Sequence, residues 1–517
     1  MDRTDRMEPV DLNAAADALA AVPLLNCLLR EAADPTGEEG VHRLRGSGRL
    51  LRVAGGRRPG RPELLVGNGR HPLGLAELVK LASDELRLYT GVSNDELPTE
   101  ITDSRDAVAA LLAARAAAPA PQDPYVRSEQ ALVMGHPHHP APKSRGGAPA
   151  ASWLPYAPEA HTRFPLVLLG LREDQVVEEG PPSASEAIDS LAELLDGPRP
   201  PAGYRLLPAH PWQLDLVGGL PAVRAAFADG RLLRLGPTRR PVWPTASIRT
   251  LYAPDPSADL FVKFSLDVRV TNDVRRLWRH DLLRLRRTDS AVEAGFAELR
   301  REGSQAVWLA DRGYRTAGFA FEELAVLVRD GLRGQGLPGT DPLLAAALAE
   351  GFPGSPLAAT PDPAGWWRAY LRQVVPPVLE LFARRGIVLE AHLQNCLVAV
   401  DGRGMPVQAF FRDAEGVKLP GDLSREDGWQ RLLYCLVVNH LAEVGGALAE
   451  AHPAVVGQVW PAVREEFRRG EAATGLAEIG ELATAPSLPA KTNLLLRWTG
   501  ADGADARYLP LPNPLRG

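Results

Sequence analysis

"EAHLQNCLVAVDGRGMPVQAFFRDAEG", residues 390–416, is the stretch that decides how this chain folds. Two short apolar runs on either side of "DGRG" read as a β-hairpin. Glu390, His392, Gln394 and Asn395 crowd into the six positions before the first run. Four such groups do not belong in a core, so they are expected to face a cavity that holds something charged. A hairpin centred between residues 402 and 403 sets His392 opposite Asp413 and puts Glu390, His392 and Gln394 on one face. Glu390, Asn395 and Asp413 then offer oxygen ligands suited to Mg²⁺, which is usually held by one or two carboxylates plus substrate phosphates.

The next cluster upstream is residues 246–275. "ASIRTLYA" and "DLFVKFSLDVRV" flank the turn "PDPSAD" and predict a second hairpin. Symmetry about residue 256 sets Arg249 opposite Lys263. Like charges directly opposed destabilise a sheet unless an anion lies between them, so a polyphosphate or carboxylate is expected here. The strand runs into "TNDVRRLWRHDLLRLRR", where Thr271 or Asn272 reads as a helix N-cap. Arg275 would then emerge beside the first N–H groups of a helix, a place for a carboxylate. Further upstream, "GHPHHPAPKSRGG" (135–147) predicts a rigid loop presenting His136, His139, Lys143 and Arg145 to an anion. Its histidines lack the spacing of a helical zinc pair, and no cysteine is near.

Composition narrows the alternatives. A chain of 517 residues points to two or three domains. Its net charge of -6 gives no reason to expect nucleic acid or an anionic membrane as partner. No apolar run of about 18 residues and no leader stands out, so the expectation is a cytoplasmic protein. Three scattered cysteines fit no disulfide framework or zinc spacing. The 58 basic residues include only five lysines, and a lysine kept against that bias marks a place for a compact ammonium. Residues 1–124 read as mostly helical, with one hairpin in "GRLLRVAGGRRPGRPELLVG"; 125–295 read as strand-rich; 296–517 read as helix-rich with a small sheet. The fold class is α+β. No G-x-x-x-x-G-K-[ST], G-x-S-x-G or G-x-G-x-x-G signature occurs, which argues against a P-loop enzyme or a standard α/β-hydrolase.

Six motifs in order, "HPHHPAPKSRGG", "LPAHPWQ", "SIRT", "KFSLDVRVTNDVRR", "EAHLQN" and "RDAEG", resemble those of the NRPS-independent siderophore synthetases, the IucA/IucC family. The resemblance covers about residues 128–416 and implies a cupped-hand fold: a thumb (1–124), fingers (125–295) and a palm (296–517). It also implies ATP-dependent adenylation of a carboxylate of citrate, or of a citrate- or succinate-derived acid, followed by capture with an amine or hydroxyl. Carried over by motif, Ser247, Arg249, Thr250, Lys263, His136, Lys143, Gln394 and Asp413 would serve ATP. Thr271, Asn272, Arg275 and His392 would hold the carboxylate, and Glu390, Asn395 and Asp413 would hold Mg²⁺. Lys263, Arg275, His392 and His136 would carry the catalysis. The resemblance further implies a homodimer acting on small molecules. Two rival readings remain: a kinase-like phosphotransferase, and a non-catalytic carboxylate- or iron-chelate-binding protein on the same scaffold. "HLQN" lacks the H-x-D spacing of a kinase catalytic loop.

Overall fold

The computed structural model describes residues 11–255, 258–271, 273–501 and 508–516. Its α+β architecture is built from antiparallel sheets and packed helices.

The 390–416 hairpin forms where expected, with strands Cys396–Val400 and Pro406–Arg412. "CLVAV" is apolar throughout because both faces of this sheet are covered. Cys396, Val398 and Val400 enter the core around Trp366, Trp367 and Tyr370 of the helix Pro363–Arg385. Leu397 and Ala399 point the other way, into a core with Tyr125, Phe261 and Phe410. Trp366 donates its indole N–H to the carbonyl of Gly404, tying the hairpin tip to that helix at 3.0 Å. The helix stops at Gly386, whose φ of 63° is left-handed and suited to glycine. Strands Val307–Leu309 and Asp341–Leu344 complete a four-stranded sheet.

The register differs from symmetry about 402.5. Cys396 pairs with Phe411 and Leu397 with Phe410, and an irregularity follows at Ala399/Val400. The strand begins only at Cys396, so Glu390 to Asn395 form a turn leading into it, not one face of it. His392 and Asp413 therefore come together just beyond one end of the hairpin instead of across its ladder.

Strands Thr250–Ala253 and Leu260–Phe264 form the second hairpin, within a six-stranded antiparallel sheet. Its turn contains residues 256 and 257, which lie outside the described residues. Lys263 faces Thr250 and not Arg249, one residue from the expected register. Nor does a helix begin at Thr271. Arg269–Val270 and Asp273–Val274 make a minimal hairpin, and the helix starts at Arg279. Asn272, one of the two expected caps, lies outside the described residues.

The N-terminal segment holds more sheet than expected. Between helices Leu12–Glu31 and Leu75–Thr90, five antiparallel strands from Ala33 to Pro72 replace the single predicted hairpin. Their short runs and frequent Arg and Gly mask the period-2 pattern. Two helical runs, Leu12–Glu31 and Arg425–Ala451, reach the length and apolarity of a membrane span, and the second is mostly buried within the protein. That apolarity is core packing, as Leu432, Leu436, Val437 and Val444 show.

Candidate active site

The loop 135–147, both hairpins and the 390–395 turn meet at one cavity of about 300 Å³. From the loop come His136 and Lys143; from the central hairpin Ser247, Arg249, Thr250 and Lys263. Thr271 and Arg275 form a further wall, and His392, Gln394, Asn395 and Asp413 close it. Glu390 is not among the lining residues: its carboxylate is taken by Arg431, and its other oxygen lies 3.9 Å from His392 Nε2.

Three of the wall residues hold strained backbone. Ile248, Thr271 and Asp413 have φ of 62°, 61° and 81°. For side chains, β-branched ones above all, this conformation costs about 1–3 kcal/mol and is kept only where surrounding structure enforces it. The enforcement is visible: Ile248 donates its N–H to Thr245, and Arg275 donates from Nη2 to both the Val270 carbonyl and the Thr271 hydroxyl.

Charges on the wall alternate. Arg249 Nη2 and Lys263 Nζ both donate to Oε2 of Glu415, at 2.9 and 2.7 Å. Lys263 also donates to Asp413 Oδ1 at 2.6 Å, which Arg329 reaches at 3.2 Å while pairing with Asp311 at 2.6 Å. The proximity of Arg249 and Lys263 is thus balanced by Glu415, a protein carboxylate, where an external anion was expected. Burial alone would raise the pKa values of Asp413 and Glu415; Lys263 leads the neighbouring cations that hold both well below the usual carboxylate range. Arg412, also on the wall, pairs with buried Glu129 at 2.6 Å. Lys143 pairs with Glu159, which Arg145 approaches at 3.5 Å. Gly135 makes room for this lysine, since a Cβ there would come within 2.9 Å of the Lys143 chain and φ is +82°.

Arg275 differs. Among the described residues no carboxylate lies within ion-pair distance of it; its guanidinium is held by a carbonyl and a hydroxyl. Burial, then the charge of Arg249, lowers its pKa. An arginine so placed is relieved by an anionic ligand, and its flat fork suits a carboxylate.

The histidines share one local device. In His136-Pro137-His138, His139-Pro140-Ala141, His210-Pro211-Trp212 and His392-Leu393-Gln394, the first residue's Nδ1 accepts the N–H of the residue two further on. The bonds are 3.1–3.3 Å long. This fixes the neutral tautomer with the proton on Nε2. Burial pushes the pKa of His392 below the usual imidazole value against the opposing pull of Glu390 and Asp413, so at neutral pH it presents a donor and not a base.

Sequence reading passed over several wall residues. Arg329, Glu350, Asn439, Glu443 and Arg57 arrive from remote segments with no motif to mark them; Glu415, quoted within "RDAEG" without a role, sits behind the wall against Lys263 and lines a small adjacent cleft. Glu350 accepts from the N–H groups of Met134 and Gly135 and so shapes the histidine loop. Arg57 comes from the tip of the N-terminal sheet and pairs with Glu443 at 2.9 Å. For Mg²⁺, Asn395 and Asp413 fit as partial donors, since both described bonds of Asp413 fall on Oδ1. Among the described residues no cluster of three or more acidic, His or Cys side chains could hold a metal unaided. The set fits an ion completed by phosphates.

Residues 124–350 match the model of the IucA / IucC family, and residues 364–506 match one described as ferric iron reductase FhuF-like transporter. The rhizobactin siderophore biosynthesis protein RhbC of Rhizobium meliloti is 31% identical over 76% of this chain and 75% of its own. The L-2,3-diaminopropanoate–citrate ligase of Staphylococcus aureus is 29% identical over 76% of this chain and 75% of its own. Among solved structures, ATP-bound aerobactin synthetase IucA from Klebsiella pneumoniae superposes with a TM-score of 0.83 at 23% identity, covering 96% of this chain and 99% of that one. Petrobactin biosynthesis protein AsbB of Bacillus anthracis gives 0.78 at 17%, over 98% and 96%. At these identities the structural likeness speaks for the fold.

Proposed function

We propose that the chain, which belongs to the IucA/IucC family, is an ATP-dependent, AMP-forming synthetase. It joins a carboxylate of citrate, or of a citrate- or succinate-derived acid, to an amine or hydroxyl in siderophore biosynthesis. The observation that carries this reading is the convergence of Lys263, Arg275, His392 and Asp413 on one cavity. Citrate ligation by the Staphylococcus aureus relative supports the choice of acid. The cavity lies where segments 1–124, 125–295 and 296–517, taken as thumb, fingers and palm, come together.

In the first step a carboxylate oxygen attacks the α-phosphorus. The new O–P bond forms as the bond to the β-phosphate's bridging oxygen breaks, and pyrophosphate leaves with that electron pair. Two anions must meet, so the protein's task is to cancel charge and align the reactants. Arg249, Lys263 and Lys143 face the phosphates with their positions already fixed by Glu415, Asp413 and Glu159. Arg275 takes the carboxylate, and His392 donates from Nε2. Asp413 and Asn395 would hold Mg²⁺, which when bound neutralises phosphate charge. In the second step the nucleophile attacks the acyl carbon, the C–O bond to AMP breaks with its pair going to AMP, and the nucleophile's proton passes to solvent. His392 accepts no proton in this scheme because its Nδ1 is already bonded.

The test is a panel of citrate, succinate, 2-oxoglutarate and succinyl-diamines scored by pyrophosphate release. Acid-dependent exchange of pyrophosphate into ATP, with AMP as product, is expected. ADP as product would mean a phosphotransferase, and no turnover with bound acid would mean a binding protein.

A further inference from the structure

One wall of the cavity is given no part in the adenylation step proposed above. Asn439 and Glu443 stand one turn apart on the helical run Arg425–Ala451, whose segment Tyr434–Leu441 is a π-helix. Such wide turns are rare and recur where a helix must present particular side chains to a site. Asn439 is only 8% exposed, yet among the described residues its Oδ1 meets no donor. A buried carbonyl left without a donor is costly, and one that faces a cavity is satisfied when a ligand supplies the missing N–H. Glu443 beside it is buried, accepts from His138 Nε2 at 2.9 Å and Arg57 at 2.9 Å, and stays ionised at neutral pH because these two outweigh its burial.

Both groups are acceptors, so the ligand part that suits them carries N–H donors and tolerates a neighbouring negative charge. Phosphate and carboxylate do neither. We infer that Asn439 and Glu443 form the subsite for the amine nucleophile, Oδ1 of Asn439 taking an N–H of a primary amine while the Glu443 carboxylate favours an ammonium elsewhere on the same molecule. A diamine or amino acid satisfies both demands; a hydroxyl nucleophile without nitrogen does not. This rests on the synthetase reading, in which an amine enters after the acyl-adenylate has formed.

The two half-reactions separate the readings. Citrate-dependent pyrophosphate exchange needs no nucleophile, and hydroxylamine is small enough to capture the acyl-adenylate without a subsite. Absence of exchange in the native chain with every acid tested would sink the synthetase reading, and this inference with it. Where exchange is present, three- to five-carbon diamines, with and without an α-carboxylate, are compared as substrates and as competitors of hydroxylamine. Asn439→Leu should raise the KM of the best diamine at least tenfold, leaving exchange and hydroxylamine capture within twofold. Asn439→Asp adds a charge with little change of shape and should lower that KM at least threefold, which keeps the inference testable if the leucine variant does not fold. An unchanged diamine KM in both variants overturns it. So does a tenfold rise in the KM of ATP or citrate, which would give Asn439 to a ribose or citrate hydroxyl, and so does failure of every diamine to couple or compete.

Discussion

The wall built on Arg249 and Lys263 and the wall of Arg275 arrange charge in opposite ways. Along the first, positive and negative groups alternate from Arg249 through Glu415, Lys263, Asp413 and Arg329 to Asp311, so each cation already has a carboxylate. On the second, Arg275 has only a carbonyl and a hydroxyl among the described residues. The alternating wall holds its donors still and carries little net charge, which suits reacting groups that must not move. The uncompensated arginine is costly until an anion arrives, which suits selection of a substrate. Rigidity and appetite for charge are divided between two walls because one wall cannot supply both.

The strongest way to break this contrast is Lys263→Met. It leaves Asp413 and Glu415 without their shared partner, and since both are half-buried and keep Arg329 and Arg249, the cost falls below the about 3–5 kcal/mol of breaking a fully buried pair from one side. Pyrophosphate exchange should fall at least ~1000-fold with a large drop in Tm; a stable variant with near-normal exchange would show that the alternation is not needed. Arg275→Ala should raise the KM for the acid by roughly 100-fold, about 2.7 kcal/mol, with the KM for ATP changed less than ~3-fold and a smaller drop in Tm than Lys263→Met gives, since the two bonds that hold Thr271 are lost but no described ion pair is. Equal losses for both substrates would erase the division of labour.

Glu415→Gln sharpens the comparison by making the alternating wall resemble the other. With Arg249 and Lys263 partly released, inorganic pyrophosphate should bind about fivefold tighter at low salt and lose that gain at high salt, while the acid's KM stays put. The smallest effect concerns pH. His392 is half-buried and desolvation depresses its pKa, so its neutral form dominates at pH 7 and above; the stability this contributes is present above about 6.5 and lost as pH falls towards the lower folded value. The rate of exchange should therefore change less than ~2-fold between pH 7 and 9 on account of this group and decline only on the acid side. An inflection above pH 7 that vanishes in His392→Gln would contradict the fixed Nε2–H tautomer.

Which groups gather at the cavity was legible well before their exact placement. "EAHLQN", "RDAEG" and "HPHHPAPK" announced their chemistry because polar residues at the edge of apolar runs have few structural excuses. Register was less legible. Thr250 faces Lys263, and the turn before Cys396 takes Glu390 away from the cavity, because loop geometry and not strand symmetry sets the pairing. The absent helix at Thr271 has the same origin: a left-handed residue enforced by Arg275 overrides a good capping sequence.

Sequence alone determined the α+β class, the hairpins, the stop at Gly386 and a polar subset of the residues that line the cavity, since these follow from local periodicity and from residue types whose burial needs a reason. Tertiary structure decided that Glu415 neutralises Arg249, that no described carboxylate pairs with Arg275, and that Asn439 and Glu443 face the same cavity. Charge balance among side chains more than a hundred residues apart depends on a few ångströms of packing, and no local pattern encodes that distance.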